Sequence, residues 1–188
     1  RGEAMLERDR AAVFARSWQL VGHESALANA GDHVVTDIAG LPVIVIRDTE
    51  GRLRAYHNVC RHRAGPLATC DGKAAKVLRC KYHGWTYTLE GVLRSAPEMQ
   101  TAEDFEVSDV RLPELRVDSW QGLVFVAGDG APSFAEFSAG FDAPLRGLSP
   151  RLCAAARARG RPNGKSKAPH HGPGACSAAS KSAIVGNA

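Results

Sequence analysis

Two short boxes, Cys60-Arg61-His62 and Cys80-Lys81-Tyr82-His83, separated by seventeen residues, constrain this chain more than any other feature. Each box offers one sulfur donor and one imidazole. Two loops must be folded against each other before the four side chains can meet, so the sequence calls for a small scaffold that presents two adjacent loops. Gly65-Pro66 after the first box and Gly84 after the second let the backbone curl, with N–H groups expected to turn toward the sulfurs.

Such a donor set suits two kinds of centre. A [2Fe-2S] cluster with two Cys on one iron and two His on the other takes its ligands from just this mixture. A structural zinc site uses the same residue types, but usually pairs Cys with Cys and His with His at wider spacings. Mixing within each box, one of which has a single intervening residue, favours the cluster. Cysteine usage agrees: five is an odd number, and Cys60, Cys70 and Cys80 sit among histidines in a 21-residue stretch. That reads as metal chemistry in a reducing, cytoplasmic setting, not as a disulfide framework. Cys70 is expected to be a plain thiol on the connecting segment.

Around the boxes the chain reads as mainly β. Met5, Leu6, Val13, Phe14 and Trp18 recur at helical intervals among charges and predict an amphipathic N-terminal helix over 5–18. The period then changes. Val34-Val35, Leu41 to Ile46 and Leu53 to Tyr56 are apolar or β-branched runs separated by the turn signals Ala39-Gly40 and Thr49-Glu50-Gly51. Further short strands are expected at Val77 to Arg79, Trp85 to Leu89, Val92-Leu93, Leu115 to Val117 and Leu123 to Val126, with a short helix at Phe134 to Phe141. Many short strands joined by tight turns predict an antiparallel β-sandwich or small barrel.

Composition divides the chain. Residues 1–150 carry 17 basic against 20 acidic residues and read as one folded domain. Residues 151–188 hold seven Lys and Arg, no carboxylate side chain and no aromatic residue, and read as a disordered low-complexity tail. A mildly acidic body gives no electrostatic reason for nucleic acid or an anionic membrane as partner. The longest apolar run, Leu41 to Ile46, is too short to span a bilayer.

The boxes Cys60-Arg61-His62-Arg63 and Cys80-Lys81-Tyr82-His83-Gly84-Trp85 resemble the Rieske domain of the alpha subunits of Rieske non-haem iron oxygenases, the ring-hydroxylating dioxygenases and related monooxygenases. Flanking segments agree over about 1–150, notably Phe14 to Trp18, Gly40 to Asp48, Tyr56-His57-Asn58-Val59 and Leu89-Glu90-Gly91 with Pro97. Lys81 departs from the family, where Pro or a small residue is common, but leaves the ligand spacing intact.

The resemblance implies a Rieske-type sandwich with two cluster-binding loops. One iron would be held by Cys60 and Cys80, the other by His62 and His83, with the imidazole edges near the surface as the electron exit. It further implies one-electron transfer from a ferredoxin or a flavin/iron-sulfur reductase to a mononuclear Fe(II) that activates O2, in a homo-oligomer of alpha subunits. Arg63, Gly84 and Trp85 take positions supporting the ligands, and Tyr87 stands four residues after His83, where high-potential relatives also have a Tyr.

A stand-alone Rieske ferredoxin is the alternative, disfavoured by the N-terminal extension with Trp18 and by the His83-Gly84-Trp85 run. After Asp142 there is no Asp or Glu, and between His83 and His170 no His, so the acidic-His-His segment of a mononuclear iron site is not expected here. The sequence thus reads as an alpha-subunit Rieske domain cut short near Pro150. His23, His33 and His57 are expected to be structural, and His170-His171 solvated.

Overall fold

The computed structural model describes residues 2–99 and 103–145. The proposed tail at 151–188, with His170 and His171, lies outside the described residues. An α-helix, Gly2–Ala12 (α1), and a short 3-10 turn lead into nine strands: Gln19–His23 (β1), His33–Ile38 (β2), Leu41–Arg47 (β3), Leu53–His57 (β4), Leu78–Arg79 (β5), Thr86–Tyr87 (β6), Leu93–Ser95 (β7), Glu114–Trp120 (β8) and Leu123–Ala127 (β9). A second helix, Phe134–Leu145 (α2), follows. All strand pairing is antiparallel. Six strands form one sheet in the order β1-β9-β8-β4-β3-β2, whose two edges approach each other, and β5-β6-β7 form a small second sheet.

β3 shows why this sheet has two covered faces. Val43, Ile44, Val45 and Ile46 are consecutive and all buried. Because side chains alternate across a strand, Val43 and Val45 pack inside the six-stranded sheet against Leu27, Ala55, Val124 and Val126. Ile44 and Ile46 face the other way, onto Tyr56, Leu78, Trp85, Tyr87 and Leu112. At about 1.5–3 kcal/mol for each fully buried aliphatic side chain, this one strand fixes both cores. The second of them contains Cys60 and Cys80, so the boxes are mounted directly on the outer face of β3 and β4.

Hairpin geometry follows the sequence signals. Ala39 and Gly40 (φ 52° and 88°) close β2 onto β3, and Gln121 and Gly122 (φ 52° and 82°) close β8 onto β9. Both central residues are left-handed, as in a type I′ turn that matches strand twist.

The N-terminal helix departs from its expectation. It ends at Ala12 and buries none of its residues, leaving Met5, Leu6 and Val13 exposed. Trp18 is the reason the helix does not continue: its indole packs edge-on against Phe134 of α2 at 4.8 Å, and Nε1 donates to the Pro132 carbonyl at 3.1 Å. Ser17 is extended to deliver it there. α1 is tethered instead through Arg10, which donates to the Ala39 carbonyl. Among the described residues no helix is long and apolar enough to cross a membrane.

Candidate metal centre

The two boxes are built on one hydrogen-bond frame. In the first, the Cys60 N–H donates to the Gly65 carbonyl at 2.8 Å and the Ala64 N–H to the Cys60 carbonyl at 2.9 Å. In the second, the Cys80 N–H donates to the Trp85 carbonyl at 2.9 Å and the Gly84 N–H to the Cys80 carbonyl at 3.0 Å. Each loop therefore closes over six residues and turns at its fifth, where Ala64 and Gly84 both have positive φ. The Gly84 N–H itself is engaged by the Cys80 carbonyl, which closes the turn.

This frame buries the sulfurs and exposes the rings. Cys60 and Cys80 are 4% and 2% exposed, whereas His62 lies at the surface and His83 is half-buried. His62 and His83 bring their Nδ1 atoms within 3.1 Å, with ring centroids 4.6 Å apart and planes at 75°. Trp85 lies flat against the His62 ring, at 4.9 Å and 9°. Its Nε1 is buried without a hydrogen-bond partner among the described residues. Tyr82 covers the His83 ring at 4.1 Å and is itself 67% exposed.

Tyr87 anchors the sulfur side. Its Oη lies 3.3 Å from Cys60 Sγ and accepts the Arg61 N–H at 3.0 Å. Burial and the contact with Cys60 push the phenol well above its usual pKa, so the hydroxyl keeps its proton.

The residues fit a binuclear centre better than a mononuclear one. A metal bonded at about 2.1 Å to two nitrogens at a tetrahedral angle holds them roughly 3.4 Å apart, close to the imidazole spacing here. Among the described residues no three His, Cys, Asp or Glu side chains converge on one point, as a mononuclear structural zinc site requires. Gly65 completes the cradle: a Cβ there would stand 3.1 Å from Cys80 Sγ and 3.4 Å from the Tyr82 Cβ.

Comparison with known proteins decides the family. The profile of the Rieske [2Fe-2S] domain matches residues 17–115, more than half of the chain. The chain belongs to the Rieske [2Fe-2S] domain family. Its similar relatives are oxygenase subunits. It is 37% identical over 124 residues to the carnitine monooxygenase oxygenase subunit of Escherichia coli K12, covering 66% of this chain and 33% of that protein. It is 38% identical over 128 residues to the biphenyl 2,3-dioxygenase subunit alpha of Rhodococcus jostii, covering 68% and 28%. The quaternary ammonium Rieske monooxygenase in complex with L-carnitine superposes with a TM-score of 0.66 at 34% identity, over 79% of this chain and 41% of that one. A naphthalene 1,2-dioxygenase mutant bound to phenanthrene gives 0.70 at 31%, over 76% and 33%. The chain spans about a third of the length of these curated relatives.

Within the Rieske domain the remaining histidines serve the scaffold. His23 Nδ1 accepts from the Ser25 N–H at 3.1 Å, His33 Nδ1 lies 3.1 Å from the Gly31 carbonyl, and His57 is half-buried on β4 opposite Val43. Cys70 is not the plain thiol expected of it. It is disulfide-bonded, which removes its sulfur from the pool of metal donors, whereas Cys60 and Cys80 are free. Arg63 is exposed and forms no hydrogen bond or ion pair with a described residue. Asn58 is the supporting residue that pattern reading passed over. Its buried side chain accepts the Leu67 and Ala68 N–H groups at 3.1 Å each and donates to the Ala68 carbonyl at 2.7 Å, pinning both ends of the first loop. Its signal in the sequence was its place in the Tyr56-His57-Asn58-Val59 segment just before the first box.

Proposed function

We propose that Cys60 and Cys80 hold one iron and His62 and His83 the other iron of a Rieske cluster, and that this domain is the electron-transfer module of a substrate-hydroxylating oxygenase alpha subunit. Bound there, the cluster supplies one-electron redox chemistry. The observation that carries the reading is the meeting of two Nδ1 atoms at 3.1 Å from two loops whose cysteines are both buried.

The chain's own residues set the conditions. Trp85 on one side and His83 on the other fix the plane of the His62 ring, so Nδ1 stays turned toward His83. The core of Ile44, Ile46, Leu78 and Leu89 keeps water from the sulfurs. With Cys60 bound as a thiolate, which has no hydrogen of its own, Tyr87 donates its hydroxyl hydrogen to the sulfur while its oxygen accepts the Arg61 N–H. Electrons enter from a ferredoxin or a flavin/iron-sulfur reductase and leave, in an oligomer of alpha subunits, for a mononuclear iron that activates O2. This part of the reading draws on the oxygenase relatives.

Anaerobic production with iron and sulfide tests it by stoichiometry. About two irons and two labile sulfides per chain are expected, both lost in Cys60→Ser. One zinc and no sulfide would overturn the assignment.

A further inference from the structure

The inside of the six-stranded sheet is underfilled. Its fully buried side chains are Leu27, Val43, Val45, Ala55, Val124 and Val126, with no aromatic among the described residues there. Strand alternation sends the large residues to the outer faces instead, Tyr56 of β4 into the core that holds the boxes and Phe125 of β9 against α2. Small aliphatic side chains close the middle of the sheet but leave a cavity of about 160 Å³ toward the β2–β3 hairpin. Ile38, Val43, Leu115 and Val126 line it, together with Phe14 of the 3-10 turn Phe14–Arg16. One imidazole enters this wall, that of His57. His23 and His33 hold hydrogen bonds to their neighbours, but the half-buried ring of His57 makes none with a described residue, and neither of its nitrogens is sealed off in protein.

We propose that this cavity binds one monocyclic phenol, its ring among the aliphatic walls and Phe14 and its hydroxyl paired with a ring nitrogen of His57. Size selects a single ring, since a cavity of roughly 150 Å³ lined by Leu, Ile and Phe stays dry and takes up benzene. Water is the poorer occupant. A buried water needs about two to four polar partners, whereas the only polar side chains in this wall, among the described residues, are His57 and Gln19, and the Gln19 amide nitrogen already donates to Ser17 Oγ at 2.7 Å. A rigid ring enters without losing rotamer freedom, and Phe14 and His57 offer it aromatic faces. One hydrogen-bonding group in an apolar wall at the mouth of a closed sheet is the usual make-up of a small-molecule pocket, the polar group fixing the ligand's orientation. The site contains none of the four proposed cluster ligands, so it stands independently of that assignment.

Methyl-resolved NMR on the full chain, titrated with phenol, benzene and 2-naphthol, tests the site. Phenol is expected to shift the methyl signals of Val43, Leu115 and Val126 saturably, through its ring current, with a Kd below about 1 mM. The methyls of Ile44 and Ile46, on the other face of β3, should hold still. Benzene should move the same three residues with about fivefold weaker affinity, lacking the hydrogen bond, and the two-ring 2-naphthol should move none. His57→Leu should bring phenol down to the affinity of benzene, a loss of selectivity that a folding defect does not produce. Ile38→Trp, at a half-buried position, should fill the cavity and abolish both. No saturable shift at Val43, Leu115 and Val126 in the parent chain would overturn the site. Phenol affinity unchanged in His57→Leu, or uptake of 2-naphthol at the same methyls, would do the same. A chain whose methyls respond to phenol but which takes up no cluster would overturn the cluster assignment and leave the cavity site standing.

Discussion

Ala64 and Gly84 are structural equivalents: each stands four residues after a candidate thiolate, each has positive φ (54° and 76°), and each donates its N–H to the carbonyl of that cysteine. Only one of them is glycine. A left-handed backbone costs a residue with a Cβ about 1–2 kcal/mol, so the first loop carries strain that the second avoids.

Substitutions at these two positions should therefore act in opposite directions. Ala64→Gly should gain about 0.5–1 kcal/mol, relief of strain outweighing the added freedom of glycine in the unfolded chain. Gly84→Ala should lose about 1–2 kcal/mol. A Cβ at Gly84 meets nothing closer than 3.5 Å, so the loss is conformational and not steric. Denaturant midpoints of the two variants check this, and shifts of the same sign would contradict the equivalence.

That equivalence was hidden in the sequence, because His62 lies two residues after its cysteine and His83 three, so the boxes do not look like a repeat. The four donors themselves were legible, since spacing and residue type suffice to nominate them. β3 was legible for a similar local reason, as a β-branched run buried on both faces. β1 was not, because Gln19–His23 is an edge strand with no alternation and no fully buried side chain. The N-terminal helix was drawn too long because the partner that claims Trp18, Phe134 of α2, lies more than a hundred residues away. Periodicity sees neighbours along the chain and not across it.

Tyr87→Phe should lower the reduction potential. The lost hydroxyl is 3.3 Å from Cys60 Sγ, and a hydrogen bond to sulfur favours the reduced, more negative state. Because burial and Cys60 hold the phenol above its usual pKa, the difference from the parent should be the same at pH 6 and pH 8. Protein-film voltammetry reads both, and an unchanged or higher potential would count against Tyr87 as the donor.

Asp48 links the scaffold to pH. Burial by itself raises its pKa, but the N–H groups of Arg52 and Glu50 and the guanidinium groups of Arg54 and Arg52 outweigh it and bring the carboxyl below its ordinary range. A depressed folded-state pKa contributes stability that is present above the unfolded value, about 3.9, and is lost as pH falls through the lower folded value. Asp48→Asn should cost about 1–3 kcal/mol at pH 7 and give a flatter stability profile below pH 4. Parallel profiles for parent and variant would show that Asp48 is not the acid-sensitive group.

Pulsed EPR on the dithionite-reduced chain, with and without 15N-labelled histidine, tests the central assignment most directly. Two histidine nitrogens coupled to the electron spin are expected, both shifted by the label, with the coupling of one lost when His83→Cys replaces an imidazole by a thiolate. A reduced cluster with no histidine nitrogen coupling, or a chain that yields no paramagnetic cluster at all, would contradict the binding of two irons by Cys60, His62, Cys80 and His83.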